Sequence, residues 1–282
     1  MLAGLPCKCQ AGFKLLTHYF FRCLRIYLSR QNSKLIRRKM NRVALCLLSV
    51  VAFDSCLKLP SSFKKCDRKR TDFNQCLSDA IHGALEILDK PLPSYGLPSL
   101  YDFTPSETII FGNRTYGLLQ KYDQFKLIGL SKPKNINAKI DFGPLTSTLT
   151  IEASYYQLTY LADCEMQGTL VLLPVNVQTP VEFTFVVPTF TFSFELEEYE
   201  KGITHFRVID SKLDTQTQSL KCDYKQLFSN KVLNAEFNNA MDAKWEPIFA
   251  LFKHFDEAMF PPLFSVILNT FLEKVPVAEL FD

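Results

Sequence analysis

The sequence predicts an α+β fold in which a long, highly curved antiparallel β-sheet packs against a long C-terminal α-helix. Apolar residues recur with a helical period over residues 72–88, and with a period of two from there to about residue 224. The period-two region is also rich in Thr, Val, Tyr and Phe, which strands favour. The helical period returns from about Asn234. Helical and strand-like segments that occupy separate blocks of a chain are typical of α+β proteins.

Residues 40–56 have the pattern of a signal peptide. The apolar run Val43–Phe53 follows the basic residues Lys39 and Arg42, and it is shorter than the roughly 20 residues of a bilayer-spanning helix. A short buried helix and an uncleaved anchor are the alternatives. We predict cleavage near Cys56 and secretion of the remaining chain.

Residues 1–39 form a basic extension with nine Lys or Arg residues and no acidic residue. Apolar side chains at helical spacing suit a mitochondrial presequence or a helix on an anionic membrane. Because a signal peptide with its own methionine follows directly, we favour translation from Met40, in which case this extension is not made.

Without residues 1–56 the chain loses ten of its 32 basic and one of its 29 acidic residues, which leaves a formal net charge of −6. A negative chain without a basic run is a poor nucleic-acid binder, because Lys and Arg supply most of that affinity. Residues 57–282 contain no linker-like segment, so we expect a single domain.

Four of the nine cysteines lie in the predicted mature chain, an even number that suits an oxidising compartment. A disulfide between Cys66 and Cys76 would join the extended N-terminus to the first helix. Cys164 and Cys222 either form a second bridge or remain buried thiols, because spacing alone does not determine pairing. Asn113 begins an Asn-Arg-Thr triplet and is a predicted glycosylation site.

The first predicted helix covers residues 72–88. Asp72 and Gln75 have the spacing of a capping box, in which each side chain satisfies a backbone N–H at the helix start. The alternation of the strands changes phase at Tyr155–Tyr156 and again at Pro188, which predicts bulges or bends at both places.

The last predicted helix has one broad apolar face rich in aromatic residues. Pro247 is expected to kink it or to remove one of its hydrogen bonds, and Pro261–Pro262 to end it before a short helix over residues 263–272.

No catalytic or metal-binding motif is recognisable. His82, His205 and His254 are scattered, and the alternating acidic residues near Glu197 suit the end of a strand better than a metal loop. We therefore predict a protein that is not an enzyme and has no metal or cofactor. A secreted hydrolase is the weakest alternative, since catalytic groups can come from distant parts of a chain.

The order of several short motifs resembles the takeout and haemolymph juvenile-hormone-binding family over about Leu59 to Asp282. The motifs follow the secretory leader, the cysteine pair and the first helix. They are Gly96–Leu100, Gly129–Ser131, Tyr160 with Gly168–Pro174, Leu227–Leu233 with Asn238 and Trp245, and Val275–Phe281.

This resemblance implies a tubular lipid-binding fold in which the curved sheet wraps the long helix and encloses an elongated apolar tunnel. It also implies a carrier of a small lipophilic molecule, such as a juvenile-hormone-like terpenoid, a fatty-acid-like lipid or a semiochemical. Inward strand positions and the apolar helix face supply the predicted lining, with Tyr160 as the polar contact. The lining residues are Leu158, Tyr160, Phe183, Phe185, Phe192, Trp245, Phe249 and Phe252.

A monomer with transient membrane or receptor contacts is the expected state. The main alternative to a carrier is a secreted interaction or signalling protein in which the tunnel is collapsed and its aromatic side chains pack against one another.

Overall fold

The computed structural model describes residues 57–104, 109–113, 117–170, 173–200 and 202–282. Leu57–Tyr199 together with His205–Asp282 form one compact unit. The basic extension, 1–39, and the signal peptide, 40–56, lie outside the described residues and stay predictions.

The described part of the chain contains helices at both ends and strands between them. The helices are α1 (Phe73–Ile87), a 3-10 helix (Pro93–Tyr95), α2 (Lys231–Ala243), α3 (Trp245–Leu272) and α4 (Val277–Leu280). The first five strands are β1 (Asp102–Phe103), β2 (Ile109–Asn113), β3 (Leu118–Ile128), β4 (Asn135–Phe142) and β5 (Thr146–Ser154). The others are β6 (Gln157–Leu170), β7 (Leu173–Val186), β8 (Thr189–Glu200), β9 (Thr204–Gln216) and β10 (Ser219–Tyr224).

These strands form two sheets. The larger sheet has the order β1-β3-β6-β7-β10, with β2 also paired to β3, and the smaller has the order β4-β5-β8-β9. The recorded registers between neighbouring strands are antiparallel. The predicted α+β class, with a long antiparallel sheet and a long C-terminal helix, is therefore confirmed.

The two sheets are joined at the predicted phase breaks. The chain passes from β5 to β6 at Tyr155–Tyr156 and from β7 to β8 at Val187–Pro188. These crossings are hydrogen-bonded to each other, since the Tyr155 N–H donates to the Pro188 carbonyl and the Val187 N–H donates to the Tyr156 carbonyl, both at 3.0 Å. Val187 has a φ of 50°, which is unusual for a β-branched residue and marks a sharp bend.

The start of α1 differs from the predicted capping box. Asp72 is the N-cap residue, but its side chain makes no capping hydrogen bond and instead accepts from the Arg70 guanidinium at 2.7 and 2.8 Å. The Gln75 amide donates to Asp79 at 2.8 Å. A disulfide joins Cys66 to Cys76, with the two Cα atoms 5.9 Å apart, and so fixes the segment before α1 to its first turns.

The structure contains no bond between Cys164 and Cys222, which are buried free thiols. They lie on β6 and β10, which flank β7 on opposite sides and are about 10 Å apart. A disulfide requires Cα atoms within about 7 Å, so this topology excludes the second bridge. Burial raises the pKa of Cys164 to about 11 and that of Cys222 to about 12, so both are protonated at neutral pH.

The C-terminal helical region breaks at a different place from the predicted one. The Asn230 side chain caps α2 by accepting from the N–H groups of Val232 and Leu233, and the chain interrupts its helix at Lys244. Pro247 lies in the first turn of α3, where an N–H would have no helical partner.

The predicted end at Pro261–Pro262 is wrong, because α3 continues through both prolines. Phe260 and Phe264, one turn apart on either side of Pro261, pack with their ring centroids 5.9 Å apart. Phe260 is fully buried. Burying these rings offsets the lost helical hydrogen bonds, so tertiary packing overrides the local preference of proline.

Aromatic residues fill the core between the larger sheet and the N-terminal half of α3. The Tyr160 ring is fully buried, with centroids 4.5 Å from Phe185 and 5.0 Å from Phe125. Phe183 and Phe252 lie 4.5 Å apart in the same cluster. We call these five residues, Phe125, Tyr160, Phe183, Phe185 and Phe252, the aromatic core. Their rings pack against one another.

Asp256 of α3 is a fully buried carboxyl group beside this aromatic core. The Tyr160 hydroxyl donates to its Oδ2 at 3.0 Å. Removal from water raises the pKa of Asp256 well above its usual range, and the Tyr160 hydrogen bond opposes this only in part. Burial therefore favours the neutral acid.

Removing the disulfide should destabilise the protein. We expect the double variant Cys66→Ser/Cys76→Ser to lose roughly 2 to 3 kcal/mol of free energy of unfolding, since the closed loop no longer restricts the unfolded chain. Urea unfolding monitored by circular dichroism measures this. Wild-type protein under reducing conditions is the matched control and should lose a similar amount; equal stability of oxidised wild type and variant would contradict the expectation.

The buried acid should make stability fall with rising pH. Above the unfolded-state pKa of about 3.9, the folded protein keeps a proton on Asp256 that the unfolded chain releases. The free energy of unfolding therefore falls with rising pH until the pH reaches the folded-state pKa of Asp256. Asp256→Asn removes this contribution to the pH dependence.

The free energy of unfolding of Asp256→Asn, relative to that of wild type, should therefore increase from pH 4 to pH 7, by at most about 1.4 kcal/mol per pH unit. Urea unfolding at each pH measures this difference. Glu236→Gln, at an exposed position on α2, is the control and should show no such trend. A constant difference between Asp256→Asn and wild type across this range would mean that the acid ionises normally.

Candidate functional site

An apolar cavity of about 290 Å³ lies between α1, the smaller sheet and the C-terminal half of α3. This volume lies just below the range of about 300 to 1,000 Å³ that is typical of small-molecule sites. Helix α1 contributes Leu77, Ala80, Ile81, Ala84 and Leu85. Strands β5 and β8 contribute Leu149, Ile151, Ala153, Phe192 and Phe194, and α3 contributes Phe264, Ile267, Leu268 and Phe271.

The cavity lies where small side chains face the core. Ala80 and Ala84 are one turn apart on α1, and Ala153 is on β5. Because alanine reaches less far than the phenylalanines of the aromatic core, the facing elements leave space here. The same helix α3 is thus closely packed along its first half and borders a cavity along its second.

The two ends of the described unit close one side of the cavity. Cys66 and Phe281 both line it and are joined by a parallel β-bridge, in which the Asp282 N–H donates to the Cys66 carbonyl at 3.1 Å. The Phe281 ring lies 5.7 Å from Phe73 on α1. The Cys66–Cys76 disulfide therefore fixes part of the cavity wall as well as the start of α1.

Few polar groups reach the cavity. The Tyr155 hydroxyl donates to the Leu130 carbonyl at 3.3 Å, and burial raises its pKa, so the phenol is neutral. Lys64 lies at the rim, where about half of its side chain is exposed and its Nζ pairs with Asp79 at 3.0 Å. A site with this lining can hold an apolar molecule by excluding water, and Tyr155 adds a neutral polar contact.

Of the eight predicted lining residues, Phe192 borders this cavity and the other seven do not. Leu158, Tyr160, Phe183, Phe185 and Phe252 are buried in or beside the aromatic core. Trp245 and Phe249 are partly buried on the first turns of α3, with ring centroids 6.1 Å apart. Their role in binding stays a prediction.

The cavity residues that sequence reasoning missed include those of α1, β5 and the C-terminal half of α3. Their apolar patterns were visible, including Ala80 and Ala84 on α1 and the alternating Leu149, Ile151 and Ala153. The useful signal was the small size of the alanines on otherwise apolar faces. The predicted lining, taken from inward strand positions and the apolar face of the last helix, lies instead mainly in the part of the core where side chains fill the space.

The three histidines of the described residues lie on separate elements, His82 on α1, His205 on β9 and His254 on α3. The His205 ring is buried with Nδ1 2.9 Å from the Leu272 carbonyl oxygen, while His82 lies 4.0 Å from Glu86 on α1. In the described part of the chain, no cluster of three or more His, Cys, Asp or Glu side chains is arranged to hold a metal ion. None of the helices described combines the length and apolarity needed to cross a membrane.

The structure is similar to the crystal structure of Takeout 1 from Epiphyas postvittana, with a TM-score of 0.61 and 18% sequence identity. The match covers 78% of this chain and 99% of that one, and at this identity it shows the fold. A lipopolysaccharide binding protein also matches, with 12% identity over 66% of this chain and 39% of that one. Its TM-score of 0.29 is too low to support an argument. None of the curated proteins matches the chain.

The family model of the haemolymph juvenile hormone binding protein (JHBP) family matches residues 43–282, which include every helix and strand described above. The chain therefore belongs to the haemolymph juvenile hormone binding protein family.

Proposed function

We propose that this protein is a secreted carrier that holds a small lipophilic molecule in the apolar cavity without changing it chemically. The observation that carries the proposal is the cavity itself. Its wall is almost entirely aliphatic and aromatic, and the one charged side chain among its lining residues, Lys64, lies at the rim. Membership of a family named for hormone binding supports the same function.

The binding energy would come mainly from burial of the ligand. Transfer of apolar surface from water is favourable by about 25 cal/mol per Å², so a ligand that loses 300 Å² of apolar surface gains about 7 to 8 kcal/mol before its ordering costs. Juvenile-hormone-like terpenoids, fatty-acid-like lipids and semiochemicals all have this apolar character. A cofactor has no part in such a mechanism.

The aromatic core lies outside the cavity and is closed, because its side chains fill the space between them. Tyr160, Phe183, Phe185 and Phe252 contact one another, so these predicted lining residues would meet a ligand only if their rings moved apart. If the protein binds no lipophile, this packing favours the alternative of a secreted interaction or signalling protein. We propose a monomer in either case, with transient membrane or receptor contacts.

Filling the cavity should weaken binding. Ala84→Phe places a phenyl ring in the space beside α1, so the affinity for the hydrophobic fluorescent probe N-phenyl-1-naphthylamine should fall at least about tenfold, a loss of about 1.4 kcal/mol. Fluorescence titration of the purified protein measures the affinity.

The matched control is Ala235→Phe, the same substitution at an exposed position on α2. It should bind the probe as wild type does. Wild-type affinity in a folded Ala84→Phe variant would show that the probe binds elsewhere, and failure of the wild-type protein to bind any lipophilic probe would favour the interaction protein.

Secretion has a separate test. Expressed from Met40 in a secreting eukaryotic cell, the protein should appear in the medium with an N-terminus near residue 57, because the signal peptide is removed. Enzymatic removal of N-glycans should lower its mass, whereas the Asn113→Gln variant should show no such change. Retention of the full chain inside the cell would contradict both the proposed secretion and the proposed signal peptide.

A further inference from the structure

Asp256 is the one fully buried carboxyl group among the described residues, and only one of its two oxygens has a hydrogen-bond partner there. Tyr160 donates to Oδ2, whereas Oδ1 has no hydrogen-bond partner in the described part of the structure. Leaving a buried polar atom unpaired is unfavourable, because the atom loses its hydrogen bonds to water and gains none, so such an atom requires an explanation. A hydrogen-bonding group on a bound ligand would provide such an explanation.

Asp256 lies on α3 about two turns before the part of the helix that borders the cavity. Asp256, Phe260 and Phe264 are spaced by four residues and share one side of α3, each step being about 6 Å. Phe264 lines the cavity, and Tyr160, the partner of Asp256, has its ring centroid 6.2 Å from that of Phe260. The Phe260 ring therefore packs against both Phe264, which lines the cavity, and Tyr160, the partner of Asp256.

We propose that Asp256, positioned by Tyr160, is the inner polar end of the ligand site and donates a hydrogen bond to a neutral oxygen acceptor of the ligand. The ligand class is a lipophile with an ester, ketone or ether oxygen at its inner end. It reaches Asp256 when the Phe260 side chain moves aside. This inference rests on the proposed carrier function and adds the chemistry that selects the ligand.

The protonation state determines which chemistry fits. A neutral carboxyl group has one O–H donor, and because Tyr160 already donates to Oδ2, the free oxygen Oδ1 is the natural position of that proton. An acceptor oxygen of the ligand would complete the pair. An ionised fatty acid fits less well, because its charge would have to be buried among phenyl rings.

The experiment compares two probes that differ in the acceptor. Methyl myristate carries an ester, whereas pentadecane has a similar chain without oxygen, and each is used to displace N-phenyl-1-naphthylamine. In Asp256→Leu, which lacks the donor, the affinity for the ester should fall roughly tenfold while that for the alkane changes little. Asp256→Asn should retain the ester preference, because its amide accepts from Tyr160 and still donates an N–H.

Tyr224→Phe is the control for loss of a buried hydrogen bond elsewhere in the core, since the Tyr224 hydroxyl lies 3.3 Å from that of Tyr122. It should keep the ester preference. If folded Asp256→Leu also keeps it, Asp256 has only a structural role and the inference is wrong.

A second measurement on the wild-type protein does not depend on the folding of any variant. An isotope-labelled ester carbonyl should show a lower infrared stretching frequency when it is bound to the wild-type protein, as expected for a hydrogen-bonded carbonyl. A frequency typical of a free carbonyl in the bound state would overturn the inference. Binding of the alkane but not the ester would also overturn it, while displacement by neither probe would mean that the carrier function itself fails.

Discussion

The structure depends on how one helix, α3, buries a continuous apolar side against two different surroundings. Its first half meets the phenylalanines of the larger sheet, which fill the space between them. Its second half faces α1 and the smaller sheet, where Ala84 and Ala153 leave a cavity. The bend at Tyr155 and Pro188 makes this possible, because it carries the same antiparallel pair of strand segments from one sheet into the other.

Much of this arrangement could be predicted from the sequence. The periods of α1, the strands and the C-terminal helices are local patterns, and the phase breaks correctly indicated where the sheet bends. Helix α3 was harder, because Pro261–Pro262 normally end a helix and only the packing of Phe260 and Phe264 in the core explains why they do not. The unpaired Cys164 and Cys222 likewise depend on strand order, which alternation along the chain does not reveal.

The site was predicted less well than the fold, for a physical reason. Periodicity shows which residues face inward, but a cavity exists only where inward side chains from separate elements are too small to meet. Asp256 is a similar case, since an aspartate beside Lys253 and Glu257 in sequence looks like part of a solvated helix face. Only the folded chain places it against Tyr160, out of contact with water.

Native mass spectrometry of the protein secreted from cells tests most directly whether the cavity carries a lipophile. The mass of the protein as purified from the medium would be compared with its mass after organic extraction. We expect a stoichiometric excess mass that extraction removes, with the recovered compound identified as a small lipophile. An empty protein that also fails to take up lipophiles added afterwards would contradict the account.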